Sequence, residues 1–489
     1  MTHLNVYIAF LTRCIRMVNY GAISPVFFLY LSKLGYSSLD TGLLLTLILL
    51  GDLIITLYLS TRADGLGRRR TLVAASLLKV LAGAVFASTA NFYALAASGI
   101  IGVISTSGGE IGPFMAIETA VLTDSLAAAR EEAGLARLSK EEEGSQIAVV
   151  LGWYAAAGYL CQALGALASG LSVAYLPRLL HCTPLLAYQL VFYAYACLGG
   201  VLAALYLLLT PACEAKPRPP SASAAAPPPP ACCPAALSPF LPSVSYGLRR
   251  AESLHIVARL CALFAMDSFA GAFVMQTWIA FWFNQRWGFS EDLVGYLLMG
   301  ANVVAGASGI AAAYFVQRFG PMLTMIASHL PSNVLLLAVP LMPSGGAAAA
   351  MLVARFCISQ MDVPARQAYV QMVVASDERS AAGGITNLVR SLGMSLAPLL
   401  LGFMSDSRPV QGALFSLPWV LAGAIKIAYD LLLYGLYLTD PTVRQGEARA
   451  DAADKREAQE AAGSGGASEA KEAAGGGSAS EPLLTSASK

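Results

Sequence analysis

Charged side chains recur within the long apolar stretches of this 489-residue chain. The residues concerned are Asp52, Lys79, Glu110, Glu118, Asp267, Arg355, Asp362, Arg366, Arg390, Lys426 and Asp430. An ionised side chain at the centre of a bilayer costs at least about 2.5–3.5 kcal/mol unless it is paired or hydrated. We therefore expect these groups to pair with one another, or to line a hydrated path along which a polar solute or a proton can move.

Three of these residues form a charged stripe near the C-terminal end of the apolar region. Arg355, Asp362 and Arg366 are separated by seven and four residues, a spacing that places them on one face of a helix. Contact between such a face and lipid is too costly, so we expect the stripe to face the protein interior.

Other charged residues have a simpler structural interpretation. Lys426 and Asp430 are four residues apart, so mutual pairing on one helix suffices for both. Lys79 is expected to extend to the membrane surface or to pair with Asp52. Arg16 lies near the start of the first apolar segment, where a basic residue is predicted to anchor the topology rather than to bind a ligand.

Twelve apolar segments position these side chains, and each is long enough to cross the hydrocarbon core of a bilayer. Only 12% of the residues are charged, against roughly 25% in soluble proteins, which argues against a soluble enzyme. The segments form two groups of six: 15–34, 41–61, 72–91, 94–122, 147–175 and 185–209, then 254–284, 293–316, 322–342, 347–374, 383–405 and 413–438. The sequence thus predicts an all-α membrane protein with twelve transmembrane helices.

The two groups are predicted to be separate six-helix bundles, over residues 1–209 and 254–438. A proline-rich stretch in 210–253 favours an extended linker, and the Ala/Gly/Glu/Ser-rich segment 439–489 is expected to be a disordered tail. Loops on the side of the N-terminus carry most of the lysines and arginines, which predicts that both termini are cytoplasmic.

An internal repeat relates the two bundles. The sequence KLGYSSLDTGLLL from Lys33 resembles RWGFSEDLVGYLL from Arg286 at an offset of 253, and Gly67 matches Gly320 at the same offset. Because six spans return the chain to the same face, the bundles are parallel repeats about an axis along the membrane normal, as in several transporters.

Proline interrupts corresponding helices of the two bundles. Pro113 follows Glu110 in the fourth helix, and Pro364 follows Asp362 in the tenth. Interrupted helices at matching positions are the best indication of a transport site in a sequence. The alternative is a kink that serves packing alone, with the carboxylates paired to Arg366 or Arg390.

With its six-plus-six helices, its linker and the loop ADGLGRRR, the chain resembles the major facilitator superfamily. The loop signature of that family is G-x-L-A-D-R-x-G-R-R. The positions that match it are Ala63, Asp64, Gly67, Arg68 and Arg69, and those that depart from it are Ser60, Arg62 and Gly65. The resemblance implies that Asp64, Gly67, Arg68 and Arg69 form a latch when the two bundles close on the cytoplasmic side.

The resemblance also implies that helices 1, 4, 7 and 10 line a central cavity. The inward candidates on these helices are Glu110, Glu118, Asp267, Arg355, Asp362 and Arg366; Arg390 on helix 11 is a further candidate. The implied function is secondary transport of a small solute by alternating access, with a proton gradient as the candidate driving force. A transporter-like sensor that signals through its cytoplasmic segments is the alternative.

Composition also limits which partners and cofactors we expect. The net charge of +1 gives no field for nucleic acid, and the nine cysteines and four histidines have no metal-site spacing. We find no catalytic pair or phosphate-binding loop, so we expect no enzyme activity, no cofactor and no metal. The expected partners are a small solute and membrane lipid, and the expected state is a monomer.

Overall fold

The computed structural model describes residues 2–104, 106, 113–132, 140–214, 251–374, 378–406 and 413–439, whose regular structure is entirely helical. The helices are α1 (Thr2–Lys33), α2 (Ser38–Leu66), α3 (Arg68–Ser88), α4 (Phe92–Ile101), α5 (Phe114–Glu132), α6 (Lys140–Leu179), α7 (Pro184–Leu207), α8 (Ala251–Ala272), α9 (Gln276–Trp287), α10 (Glu291–Phe319), α11 (Pro321–Ala338), α12 (Gly345–Ser359), α13 (Asp362–Val373), α14 (Arg379–Ser405) and α15 (Leu417–Thr439).

Eleven of these helical segments are long and apolar enough to cross a membrane. Two of them each combine two consecutive helices, α8 with α9 and α12 with α13. The remaining predicted span, 94–122, is divided between α4 and α5, and the stretch between them includes residues outside the described part. The all-helical membrane fold is therefore confirmed.

The first helix begins earlier than the apolar pattern suggests. We expected its span to start at Ile15, whereas α1 starts at Thr2. Asn5 donates a hydrogen bond to Thr210 (2.9 Å), and Ile8 is buried in the core. This additional length is stabilised by packing against the rest of the N-terminal bundle, which periodicity does not reveal.

Four glycines confirm the internal repeat at the level of the backbone. Gly35 and Gly288 have φ values of +90° and +66° after the first helix of each bundle. Gly67 and Gly320 have φ values of +96° and +79° between the second and third spans of each bundle. Only glycine adopts such angles without strain, so the offset of 253 reflects a shared requirement for turns.

The start of α2 shows how the sequence sets a helix boundary. The Ser37 side chain accepts a hydrogen bond from the amide of Asp40, and the Asp40 carboxylate accepts one from the amide of Ser37. This reciprocal capping box satisfies two amides that have no partner within the helix.

The two bundles meet through α1 with α9, α2 with α14, and α6 with α10. We call the side at which α1 begins and α15 ends the termini face, and the other side the opposite face. Glycine pairs allow close approach toward the opposite face: a Cβ on Gly42 would lie 2.9 Å from the Cα of Gly402, and one on Gly170 would lie 2.8 Å from that of Gly295.

Aromatic side chains fill the same part of the seam between the bundles. The ring of Phe28 in α1 lies 4.3 Å from that of Phe281 and 5.7 Å from that of Trp278, centroid to centroid, both in α9. Phe28 and Trp278 are fully buried. Together with the glycine pairs, these contacts pack the bundles tightly against each other on the side of the opposite face.

Candidate functional site

Two of the helices that are expected to line the cavity are interrupted within the described residues. The tenth span turns between α12 and α13, so that Asp362 begins a new helix and Pro364 lies in its first turn, where a missing amide is tolerated. The interruption predicted near Asp362 is therefore present. The seventh span is also interrupted, between Ala272 and Gln276, and sequence reasoning missed this break because no proline marks it.

In the N-terminal bundle, Glu118 is the centre of a buried ionic cluster. Its carboxylate pairs with Arg16 Nη1 at 2.6 Å and accepts a hydrogen bond from Thr12 Oγ1 at 2.8 Å. The hydroxyls of Tyr154 and Tyr206 donate to the same carboxylate. Four helices, α1, α5, α6 and α7, thus converge on one side chain, and each of its two oxygens has a partner.

Arg16 corrects an expectation. We predicted a topology anchor, but its side chain is completely buried and bound to Glu118. The extended length of α1 explains the error, since Arg16 lies in the middle of that helix and not at its end. No local sequence pattern distinguishes an arginine in the middle of this helix from one at its end.

Lys79 and Asp52 are buried in the same bundle, but they do not form the predicted pair. Lys79 Nζ lies 4.1 Å from the ring centre of Tyr20 and 4.7 Å from that of Tyr195, and it has no hydrogen-bond partner among the described residues. The same is true of Asp52 Oδ1. Favourable cation–π contacts thus take the place of an ion pair around this ammonium group.

In the C-terminal bundle, Asp267 in α8 joins three cationic or titratable groups. Lys426 Nζ is bonded to its Oδ1, and His329 Nε2 lies 3.5 Å from the same atom. Arg366 Nη1 lies 3.7 Å from Oδ2 and pairs with Asp362 at 2.7 Å. The structure therefore brings three of the predicted site residues, Asp267, Asp362 and Arg366, into one buried cluster.

The expected pair between Lys426 and Asp430 is wrong. Lys426 bonds to Asp267, whereas Asp430 accepts from His329 Nδ1 at 2.7 Å and from Asn333 Nδ2 at 2.9 Å. Both partners lie on other helices, because α15 turns these side chains toward α8 and α11 and not along its own surface. Sequence reasoning did not select His329 at all.

Two predicted arginines face this cluster without joining it. Arg355 is buried with its guanidinium carbon 5.2 Å from the ring centre of Phe356, and no described group forms a hydrogen bond with its Nε. Arg390 is half-buried, and its Nε donates to Ser268 at 3.0 Å. Within the described residues, neither arginine pairs with a carboxylate.

One combination of residues resembles a metal site by distance. A ligand atom from each of Asp267, His329 and Asp362 lies within 4.8 Å of the other two. Lys426 and Arg366, however, are already bonded to the two carboxylates. A metal ion at this cluster would therefore have to compete with a permanent cation for each carboxylate.

A neutral polar cluster crosses the seam between the bundles. Gln276, the first residue of α9, donates to Asn302 at 2.6 Å and accepts from Ser24 at 3.1 Å and from Gln162 at 3.4 Å. It therefore links the two bundles at the break in the seventh span. Sequence reasoning missed this cluster, because uncharged amides in apolar segments give no strong signal.

Among the described residues, the predicted latch arginines contact α5 and the segment that follows α7. The amides of Arg68 and Arg69 donate to the Glu214 carboxylate at 2.6 and 3.3 Å, which caps the start of α3. Arg68 also pairs with Asp124 at 2.6 Å, while Gly67 provides the turn before α3. Two predicted groups, the Asp64 side chain and Glu110, lie outside the described part of the structure.

These features together define a class of protein. Two similar bundles packed along a seam, each with a buried ionic cluster, and two interrupted helices in the C-terminal bundle are the architecture of a secondary membrane transporter. The chain belongs to the Major Facilitator Superfamily, whose family model matches residues 9–398.

Known proteins support this assignment. An uncharacterised membrane protein of Saccharomyces cerevisiae is 25% identical over 432 residues, which cover 87% of this chain and 92% of the yeast protein. Among solved structures, a mutant of the nucleoside transporter NupG has a TM-score of 0.64 at 13% identity, covering 89% of this chain and 99% of its own. A D-xylose-proton symporter has a TM-score of 0.63 at 13% identity, covering 88% and 97%.

The fold is also shared with a bacterial homologue of the human lysosomal transporter Spinster. Its structure, in an inward-facing and unoccupied conformation, has a TM-score of 0.59 at 16% identity and covers 91% of this chain and 98% of its own. At such identities these likenesses show the fold alone.

Proposed function

We propose that this protein carries a small, negatively charged solute across its membrane by alternating access. We infer the negative charge of the solute from Arg355 and Arg390, which have no carboxylate partner within the described residues. By contrast, Arg16, Arg366 and Lys426 each pair with a carboxylate. A buried or half-buried cation without a counter-ion is costly, and an anionic group of a solute would offset that cost.

The proposed solute position lies beside the interruption of the tenth span. Arg355 belongs to α12, before the turn, and Arg390 belongs to the neighbouring span α14. A carboxylate or phosphate group beside either guanidinium would accept charge-assisted hydrogen bonds from it. The rest of the solute would extend toward the N-terminal bundle.

Packing along the seam supports the direction in which this state opens. The glycine pairs and the aromatic contacts close the bundles toward the opposite face. We infer that the state seen here admits solute from the termini face and that rocking of the bundles would expose the site on the other side. The excess of basic residues in loops on the termini face supports a cytoplasmic location for that face.

A binding screen tests the proposal directly. Purified protein in detergent would be mixed with carboxylates, phosphate esters and neutral sugars or nucleosides, and its melting temperature measured. We expect acids alone to raise the melting temperature of the wild type, and Arg355→Gln and Arg390→Gln to abolish the effect. Acids identified in this way would then be tested for uptake into proteoliposomes.

Arg286→Gln is the matched control, because Arg286 packs on Trp287 in the last turn of α9, near the opposite face. This variant should bind the acids as the wild type does. Stabilisation by neutral solutes alone, or equal binding of acids by the wild type and by both cavity variants, would contradict the proposal.

A further inference from the structure

We propose that His329 is the binding site of the proton that drives transport, in a site formed by the peripheral helices α11 and α15 and by α8. This inference rests on the proposed transport function and adds its coupling ion. The site consists of His329 with the two carboxylates that flank it, Asp430 and Asp267.

Geometry favours a protonated imidazole in this state. Nδ1 lies 2.7 Å from Asp430 Oδ1, and Nε2 lies 3.5 Å from Asp267 Oδ1. A neutral imidazole carries a hydrogen on one nitrogen only, so it can donate to one carboxylate and must turn a lone pair toward the other. The imidazolium donates to Asp430 from Nδ1 and holds its positive charge at ion-pair distance from Asp267, so the bound proton links α15 to α8 through the ring.

Charge balance leads to the same conclusion. The contacts in this cluster join three carboxylates, Asp267, Asp362 and Asp430, to two permanent cations, Lys426 and Arg366. These direct contacts alone leave one negative charge, which a proton on His329 neutralises, while Arg355 and Arg390, which pair with none of these carboxylates, are left for the anionic solute. Because histidine is the side chain that changes charge near neutral pH, this proton is the exchangeable one.

Groups on α11, α15, α13, α12 and α14 also act on this proton. Asn333 in α11 donates to Asp430, and the ring of Tyr429 in α15 lies edge-on to the imidazole at 5.7 Å between centroids. Arg366 and Asp362 face the cluster from α13, Arg355 from α12 and Arg390 from α14. Arg355 and Arg390 make the surroundings of the imidazole more positive, and an anionic solute bound to them would cancel that effect.

This arrangement couples the two ligands electrostatically. An anion bound at Arg355 and Arg390 would favour the imidazolium, and the imidazolium would in turn favour the anion. When the proton leaves, the ring no longer places a positive charge beside Asp267, whose ion pairs are then those with Lys426 and Arg366. Solute and proton would therefore be bound together and released together, as cotransport requires.

Histidine NMR tests the proton site without any solute. The chain has four histidines, so protein labelled at the imidazole Cε1 gives few signals, and the signal that disappears in His329→Gln belongs to His329. We expect the chemical shift of that signal to change with pH over the range in which the protein stays folded. Asp430→Asn should change its midpoint, whereas His255→Gln, on the exposed part of α8, should not. A His329 signal that stays fixed over this range, or one that Asp430→Asn leaves unchanged, would overturn the proposal.

Transport measurements separate coupling from translocation. With the acid found in the binding screen and the membrane potential clamped, a gradient of one pH unit should drive roughly tenfold accumulation if one proton moves with each solute. His329→Gln should lose this accumulation but keep counterflow of the same acid, while His255→Gln should keep both. If His329→Gln also loses counterflow, Asp430→Asn, which retains the imidazole, is compared in its place. Undiminished accumulation in both variants would refute the proton site, whereas absence of counterflow in the wild type would refute the transport function itself.

Discussion

At the scale of single residues, the two bundles use buried charge in different ways. The Glu118 carboxylate binds Arg16, Thr12, Tyr154 and Tyr206, so each of its oxygens already has a partner. Asp267 instead shares its oxygens with groups that also bind other carboxylates. We infer that the first cluster holds the N-terminal bundle together, whereas the second can rearrange.

A substitution at Glu118 should therefore act on stability. Glu118→Gln leaves the Arg16 guanidinium buried without a counter-ion, and breaking one side of a buried pair typically costs about 3–5 kcal/mol. We expect a clearly lower melting temperature in detergent, by roughly several degrees. Replacing both partners, as in Arg16→Met with Glu118→Leu, should recover much of the loss.

Lys79→Met provides the matched contrast. Methionine keeps most of the packing against Tyr20 and Tyr195 and removes an ammonium group to which the described residues offer no hydrogen bond. The melting temperature of Lys79→Met should equal or exceed that of the wild type. If Glu118→Gln had the same melting temperature as the wild type, the inference that the Glu118 cluster holds the N-terminal bundle together would be wrong.

At the scale of secondary-structure elements, glycine turns define the repeat. Gly67 and Gly320 each end the second helix and begin the third helix of their bundle with positive φ. At Gly67, the turn also brings the amides of the next two residues to Glu214. The turn thus sets the direction of α3. It also holds the segment after α7 in place through the hydrogen bonds to Glu214.

Alanine substitutions test this role of the turns. Gly67→Ala and Gly320→Ala should each destabilise the protein by about 1–3 kcal/mol, because both glycines combine positive φ with an extended ψ, which residues with a Cβ adopt only with strain. Gly200→Ala is the control, since a Cβ there meets no described atom within 4 Å and the residue lies inside α7. This control should be neutral or stabilising in the same thermal unfolding assay. Equal melting temperatures for all three variants would show that the turns do not need glycine.

At the scale of the whole molecule, the seam between the bundles decides which face is open. A Cβ on Gly42 would overlap the carbonyl oxygen of Pro398 in α14. A bulky residue there cannot be accommodated while the bundles are closed toward the opposite face. We therefore expect Gly42→Leu to shift the population toward a state that is open on that side.

Spin-label distances would measure this shift. In a background without native cysteines, labels at Tyr93→Cys and Leu341→Cys report the separation of the bundles, because both residues are exposed at the opposite face. Gly42→Leu should lengthen this distance. Gly309→Leu, in α10 and with no described neighbour within 4 Å of its Cβ, should leave it unchanged. A distance distribution that Gly42→Leu does not alter would mean that the glycine contact does not govern closure.

The chain's own sequence determined the features that depend on local chemistry. Apolar segments predicted the spans, the offset of 253 predicted turns that recur at Gly35, Gly67, Gly288 and Gly320, and Pro364 marked the break in the tenth span. Each of these features follows from the conformational limits of one or a few neighbouring residues, so the chain need not be folded for them to be recognised.

Only the tertiary structure decided which charged groups meet. Spacing favoured a pair between Lys426 and Asp430, yet each binds a residue of another helix. His329 lies within a predicted span, but nothing in the sequence indicated that it sits between Asp267 and Asp430. Ion pairs form between faces that helices turn toward each other, and that rotation is set by the packing of all the helices together. A one-dimensional pattern specifies which side chains share a face, but not which other helix that face contacts.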